Sequence, residues 1–238
     1  IPIICVIGIV GNTLAAGAFF SAQLRTISCC LYLGVKCLSD IGFLVSLFVV
    51  WLYRVHVPIF SLNVICQTTI FLSYICAFSS VWLVVIITFE NFIRISQPQL
   101  VPVICTSRMG KIVITSCTII SLLLYNFPLW TTGIVEDAQG TFCSTYGEFQ
   151  QATVILTYID TMLTLVLPFF LMVILVVLIT IAAIQAYERK KRLFMNLIRP
   201  IKKGKSPEAQ VTKMLFAVSV VFLVLHTPIH GIRIKLMI

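Results

Sequence analysis

Acidic residues are few in this 238-residue chain, eight in all, and charged residues of both signs make up only 11% of it. Soluble domains carry about 25%, so with a hydrophobic share of 60% the shortage excludes an ordinary soluble fold. Only three histidines occur, and none sits in a zinc pattern: His226 and His230 are four residues apart, but no Glu follows the first as a zinc-protease helix requires. Phosphate-binding glycine loops are absent, and no catalytic arrangement of side chains emerges. An enzyme is therefore not expected. Internal repeats, low-complexity tracts and N-x-Ser/Thr glycosylation acceptors are missing too.

What is abundant is uninterrupted apolar sequence. Stretches without Asp, Glu, Lys or Arg run from Ile1 to Leu24, Val55 to Phe89, Ile112 to Val135, Thr161 to Tyr187 and Met214 to Ile232, each long enough to cross a bilayer as a helix. Another apolar stretch, about 29–53, is interrupted by Lys36 and Asp40. Barrel strands would alternate over about 10 residues, and these runs do not alternate. The pattern predicts an all-α integral membrane protein, one transmembrane domain over 1–238, with helices at about 1–24, 29–53, 63–95, 110–130, 151–187 and 208–236. With no initiator Met and a start inside the first span, the chain reads as incomplete at both ends.

Basic residues orient this bundle. Fourteen of the seventeen Lys and Arg residues fall on or beside one side, against Arg54, Arg233 and Lys235 near the other. The positive-inside rule puts the richer side in the cytoplasm and Ile1 outside. The formal charge of +9 sits mostly in Glu188 to Lys213, beside membrane spans. Anionic lipid of the bilayer and a cytoplasmic partner explain it better than nucleic acid, which is not expected. Of nine cysteines, Cys66 and Cys143 fall in outer positions, and a disulfide between them is the economical reading. The outer loop 131–150, with Glu136, Asp137 and Gly140, suits a hairpin or coil over the bundle. In the inner loop 96–111, Pro98 and Pro102 disfavour a continuous helix.

Charge within hydrocarbon is costly, so an intramembrane acid is a site hypothesis by default. Asp40 lies one turn past Lys36. Asn12 on the first span, and Ser80 about 21 Å inward from Cys66 along the third, could complete a hydrated pocket for a cation or a proton. Pairing of Asp40 with Lys36, or its protonation, is the plainer alternative. Pro168 and Pro228 each remove a backbone donor from an apolar helix and should open a local kink. His226, His230 and Arg233 follow i, i+4, i+7 and share one helix face. Thr157, Asp160, Thr161 and Thr164 form a comparable face on the fifth span. The two faces could line an outward cavity or hydrogen-bond between helices.

In order and spacing these residues resemble the rhodopsin-like (class A) G-protein-coupled receptors. Gly11-Asn12 resembles the family's first-helix Gly-Asn, Leu38-Ser39-Asp40 its second-helix Leu-x-x-Asp region, and Cys66 with Cys143 its outer disulfide. Glu90-Asn91-Phe92 stands in the place of the Asp/Glu-Arg-Tyr triplet, Pro168 in that of the fifth-helix proline, and Phe222 to Pro228 in that of Phe-x-x-Cys-Trp-x-Pro. The resemblance implies a seven-transmembrane receptor bundle in the plasma membrane, six of whose helices lie in this chain. It implies an extracellular ligand and a heterotrimeric G protein as partners. By the same likeness Asp40 and Ser80 would line an allosteric sodium site, the one cofactor implied. Val81, Pro168, Phe222 and Pro228 would form the activation switch. Glu90, Asn91, Phe92 and Glu208 would face the G protein, Glu208 standing where an acid often pairs with the third-helix Arg. Here that Arg is Asn91, the sixth-helix Trp is His226, a common fifth-helix Tyr is Val176, and no Trp lies midway along the fourth span.

Ser73 stands where amine receptors place their aspartate, which disfavours an amine ligand. Pro228-Ile229-His230-Gly231-Ile232-Arg233 resembles the Pro-Phe-His-x-x-Arg run of several neuropeptide receptors, implying a peptide ligand. The expected ligand-facing set is Ser73, Tyr74, Ala77, Thr157, Asp160, Thr164, His226, His230 and Arg233. Two other functions compete: an ion- or proton-coupled transporter working through Asp40, and a ligand-binding receptor whose G-protein coupling is weakened by Asn91.

Overall fold

Inside hydrocarbon no water is at hand for backbone N–H and C=O groups, so apolar runs of this length settle as helices that bond internally. A computed structural model of the chain describes residues 1–55, 57, 63–137 and 140–195. Its helices are α1 (Pro2–Phe19), α2 (Ser28–Arg54), α3 (Asn63–Ser96), α4 (Val101–Ile104), α5 (Ser107–Leu124), α6 (Pro128–Thr131), α7 (Gln150–Thr161) and α8 (Leu167–Met195). Five helical stretches among the described residues are long and apolar enough to cross a membrane. The expected helix 208–236 lies outside the described residues.

Helix ends follow backbone chemistry more closely than the charge pattern does. The first helix stops at Phe19, short of the expected 24, and a turn follows in which the Leu24 and Arg25 N–H groups donate to the Ser21 carbonyl at 3.1 and 3.0 Å. The fourth span stops at Leu124. Pro128, four residues on, lacks an N–H, and its ring would collide with the Leu124 carbonyl of a continuing helix. Past Ser96, Pro98 and Pro102 leave only a 3₁₀ turn, Pro98–Leu100, and the one-turn α4. The fifth span is continuous to Met195 but contains a π-helical segment, Met162–Val166, directly before the buried Pro168. The wider turn there is this chain's answer to the missing Pro168 donor.

Two compact units can be distinguished. One comprises Ile1–Leu83 with Ser107–Thr164, the other Val84–Thr106 with Leu165–Ile238. Within the first, α2 and α3 run antiparallel, and a Cβ added to Gly42 would lie 2.5 Å from the Cys76 Sγ, so a larger residue there would force Cys76 to shift. On α5, a Cβ added to Gly110 would lie 3.4 Å from the Ser28 Cβ of α2, an ordinary to tight contact. Large apolar side chains such as Ile3 (72% exposed) and Leu123 (70%) point away from the protein interior. On helices this apolar, such faces suit lipid or a further helix.

Between α6 and α7 the chain forms a two-stranded antiparallel hairpin, β1 (Thr132–Asp137) and β2 (Gly140–Thr145), with Ile134 opposite Cys143. The β-branched Thr132, Ile134 and Val135 favour strand over helix once the span has ended.

Candidate functional site

At the centre of the first unit, Asp40 receives two donors. The Lys36 ammonium lies 2.5 Å from Oδ2, and the Ser80 hydroxyl donates to Oδ1 at 2.5 Å. Gly42 against Cys76 and Asp40 against Ser80 are successive contacts of one antiparallel helix pair, so the glycine brings the hydroxyl within reach of the carboxylate. Asp40 thus meets Ser80 across the helix interface and pairs with Lys36 one turn below. Asn12 does not join them. Its side-chain amide donates to the Gly8 carbonyl of its own helix at 2.9 Å.

The hairpin is pinned to the start of α3 by three ties in one place. Cys66 and Cys143 form a disulfide with Cα atoms 5.7 Å apart. The Ile134 N–H, opposite Cys143 in register, donates to Asn63 Oδ1 at 2.8 Å, and Gln67 Nε2 donates to the Thr132 carbonyl at 3.1 Å. A sheet of two strands is marginal alone. The covalent tie and the two side-chain bonds hold it in register over the end of the bundle.

Beneath the hairpin, Phe78, Tyr125 and Phe127 form a buried aromatic cluster with Tyr74, Trp82 and Leu156 packed against it. Tyr74 stacks on Tyr125 with ring centroids 5.5 Å apart. The Tyr125 hydroxyl donates to Asp160 Oδ1 at 2.7 Å, joining the end of the fourth span to the fifth. Trp82 Nε1 donates to the Leu163 carbonyl at 3.1 Å, within the π-helical segment. Pro168, five residues beyond Leu163, has no N–H to offer that carbonyl, and the indole supplies one instead. Removing the Tyr125 hydroxyl by Tyr125→Phe should cost about 1–2 kcal/mol, the scale of a hydrogen bond to a charged acceptor. Thermal unfolding of the purified protein measures it, and no loss would mean that the bond contributes nothing.

Thr157, Thr161 and Thr164 each donate to the carbonyl four residues back, at 2.8 Å, which leaves their hydroxyl oxygens as acceptors. Asp160 of that face bonds across to Tyr125 at the end of the fourth span. Ser73 likewise donates to the Ile70 carbonyl at 2.7 Å, and Ala77 is half-buried on α3.

In the second unit, Glu90 is 3% exposed and accepts from Arg94 at 3.4 Å, one turn along α3. Asn91 is wholly buried, and neither of its amide atoms has a hydrogen-bond partner among the described residues. Phe92 is half-buried beside them. Burial pushes the Cys105 thiol above its ordinary range and the Glu90 charge adds to that, while Arg94 opposes it. A cleft of about 320 Å³ opens between Ile95, Ser96 and Pro98 on one wall and Ala182, Gln185 and Arg189 on the other. Val81 is half-buried on α3 and Pro168 is fully buried in α8. Glu208, Phe222, His226, Pro228, His230 and Arg233 lie outside the described residues.

Sequence reasoning passed over Tyr125, Trp82 and the Asn63–Gln67 pair. A tyrosine, a tryptophan and two amides near span ends carry no periodic signal, and only the tertiary fold brings them to their partners.

No curated protein matches this chain. Residues 11–238 match the family described as 7 transmembrane receptor (rhodopsin family). That range takes in the Asp40 centre, the Cys66–Cys143 tie, the Glu90-Asn91-Phe92 segment and Pro168. The chain belongs to the rhodopsin family of seven-transmembrane receptors.

Proposed function

We propose that this chain binds an extracellular peptide and transmits its arrival to a cytoplasmic heterotrimeric G protein. The observation that carries the reading is the family match over residues 11–238. In its support, the disulfide-pinned hairpin forms a fixed rim at one end of the first unit. The second unit carries Glu90, Asn91 and a cleft bordered by Arg189. In this orientation Ile1 and the hairpin are outside, and the basic segment from Glu188 onward meets the cytoplasm and its anionic lipid. The ligand has to favour one bundle state over the other, because equal affinity for both shifts nothing.

The ligand-facing set of this reading is Ser73, Tyr74, Ala77, Thr157, Asp160, Thr164, His226, His230 and Arg233. A peptide with an acidic or carbonyl-rich end would face Arg233. Cells expressing the full-length protein, challenged with peptide fractions, should show G-protein subunit dissociation. Peptide-independent ion flux instead would favour a transporter. With an agonist in hand, Arg233→Ala should weaken its potency by more than about tenfold, the scale of a lost charge-assisted contact; unchanged potency would remove Arg233 from the site.

A second reading has one observation in its favour. Asn91 stands where the family carries the arginine most associated with signalling, and it is buried with its amide unpartnered among the described residues. A receptor that binds its ligand but couples weakly fits that substitution.

A further inference from the structure

The family implies a sodium ion at Asp40 and Ser80, and the side chains present do not fit one. A hard monovalent cation needs carboxylate and hydroxyl oxygens free to ligate it. Here Oδ2 of Asp40 faces the Lys36 ammonium at 2.5 Å and Oδ1 accepts from Ser80. The single negative charge of Asp40 is already balanced by Lys36. A second cation ligated by the carboxylate would stand within about 7 Å of the ammonium, where like charges still repel at the effective dielectric of a protein site. The third expected member, Asn12, has turned its amide to its own helix.

Lys36 makes this contact against two local preferences. Helical side chains lean toward the N-terminal end, here Ser28, and a lysine in a span is ordinarily drawn along that line toward water. A lysine one turn N-terminal to an acid is moreover the less favourable order for an i,i+4 pair. The ammonium is held upward by the charge of Asp40, not by the helix.

We propose that Lys36 is the built-in cation of this bundle, its ammonium occupying at Asp40 the place that a sodium ion would take, so that the receptor is insensitive to sodium. The inference rests on reading the chain as a receptor of this family. The charge balance that other members could draw from dissolved salt is here part of the chain, and the concentration of sodium ceases to be a control on it.

The test is thermal unfolding of the full-length protein in detergent, with sodium chloride compared against choline chloride at equal ionic strength. The wild type should unfold at the same temperature in both. Lys36→Met, which keeps the stem and removes the charge, should gain a sodium-specific rise of about 3–6 °C at a sodium concentration roughly ten times its Kd. Adding Ser80→Ala should reduce that rise. A saturable sodium-specific rise in the wild type would overturn the proposal, and so would a folded Lys36→Met protein blind to sodium. Should Lys36→Met fail to fold, the sodium NMR linewidth of the wild type decides alone: broadening no greater than that of empty micelles is expected, and saturable excess broadening would contradict the proposal. Neither measurement contains a peptide or a G protein. Failure of the receptor reading would leave their outcome unchanged, and a sodium response would leave the receptor reading standing.

Discussion

Replacing Asp40 by Asn should lower the stability of the bundle by about 2–3 kcal/mol, and replacing Lys36 by Met in the same chain should restore most of that loss. Removing one partner of an ion pair costs more than removing both, because the remaining charge is left in a poor solvent. Asp40→Asn keeps the shape and still offers Ser80 an acceptor, so the loss isolates the stranded Lys36 ammonium. The side chains are 21% and 24% exposed, and Lys36 can swing toward the Ser28 end, so the figure sits below that for a fully buried pair. Thermal or denaturant unfolding of the three variants closes the cycle. Additive losses in the double variant would show that Lys36 and Asp40 are not coupled.

Asn91→Leu should stabilise the protein by about 1–2 kcal/mol. A buried amide without a partner among the described residues forfeits its bonds to water, and an apolar side chain of similar branching removes that penalty. Leucine is somewhat larger than asparagine, which offsets part of the gain. Such a cost persists in a protein when another state relieves it. The same substitution should therefore reduce whatever G-protein coupling the wild type has, while Asn91→Arg should raise coupling and lower stability. Unfolding midpoints and G-protein dissociation, measured on the same variants, separate the two effects. A loss of stability in Asn91→Leu would show that the amide has a partner in the folded protein.

The spans were legible because their signal is additive: twenty or so apolar residues leave little room for another reading. The Cys66–Cys143 tie was legible for a related reason, since topology left only two cysteines in outer positions. Asp40 was found by its cost in hydrocarbon, and Lys36 lay one turn away in the sequence. What escaped was whatever depends on a partner distant in the chain. Asn12 and Ser80 looked alike as polar residues within spans, yet one turns to its own backbone and the other crosses to Asp40. The threonines of the fifth span share the expected periodicity, but the sequence does not show that each hydroxyl donates four residues back along its own helix. The helix end at Leu124 and the π-helical segment at Met162–Val166 are both set by prolines, which perturb the carbonyls four and five residues before them.

The most direct test of receptor function is nucleotide exchange. The full-length protein would be reconstituted in vesicles with a heterotrimeric G protein, and uptake of a non-hydrolysable GTP analogue followed with and without a peptide that binds it. Acceleration by the peptide, abolished by reducing the Cys66–Cys143 tie, is the predicted result. A peptide that binds and leaves exchange unchanged with every G protein offered, in the wild type and in Asn91→Arg alike, would contradict it.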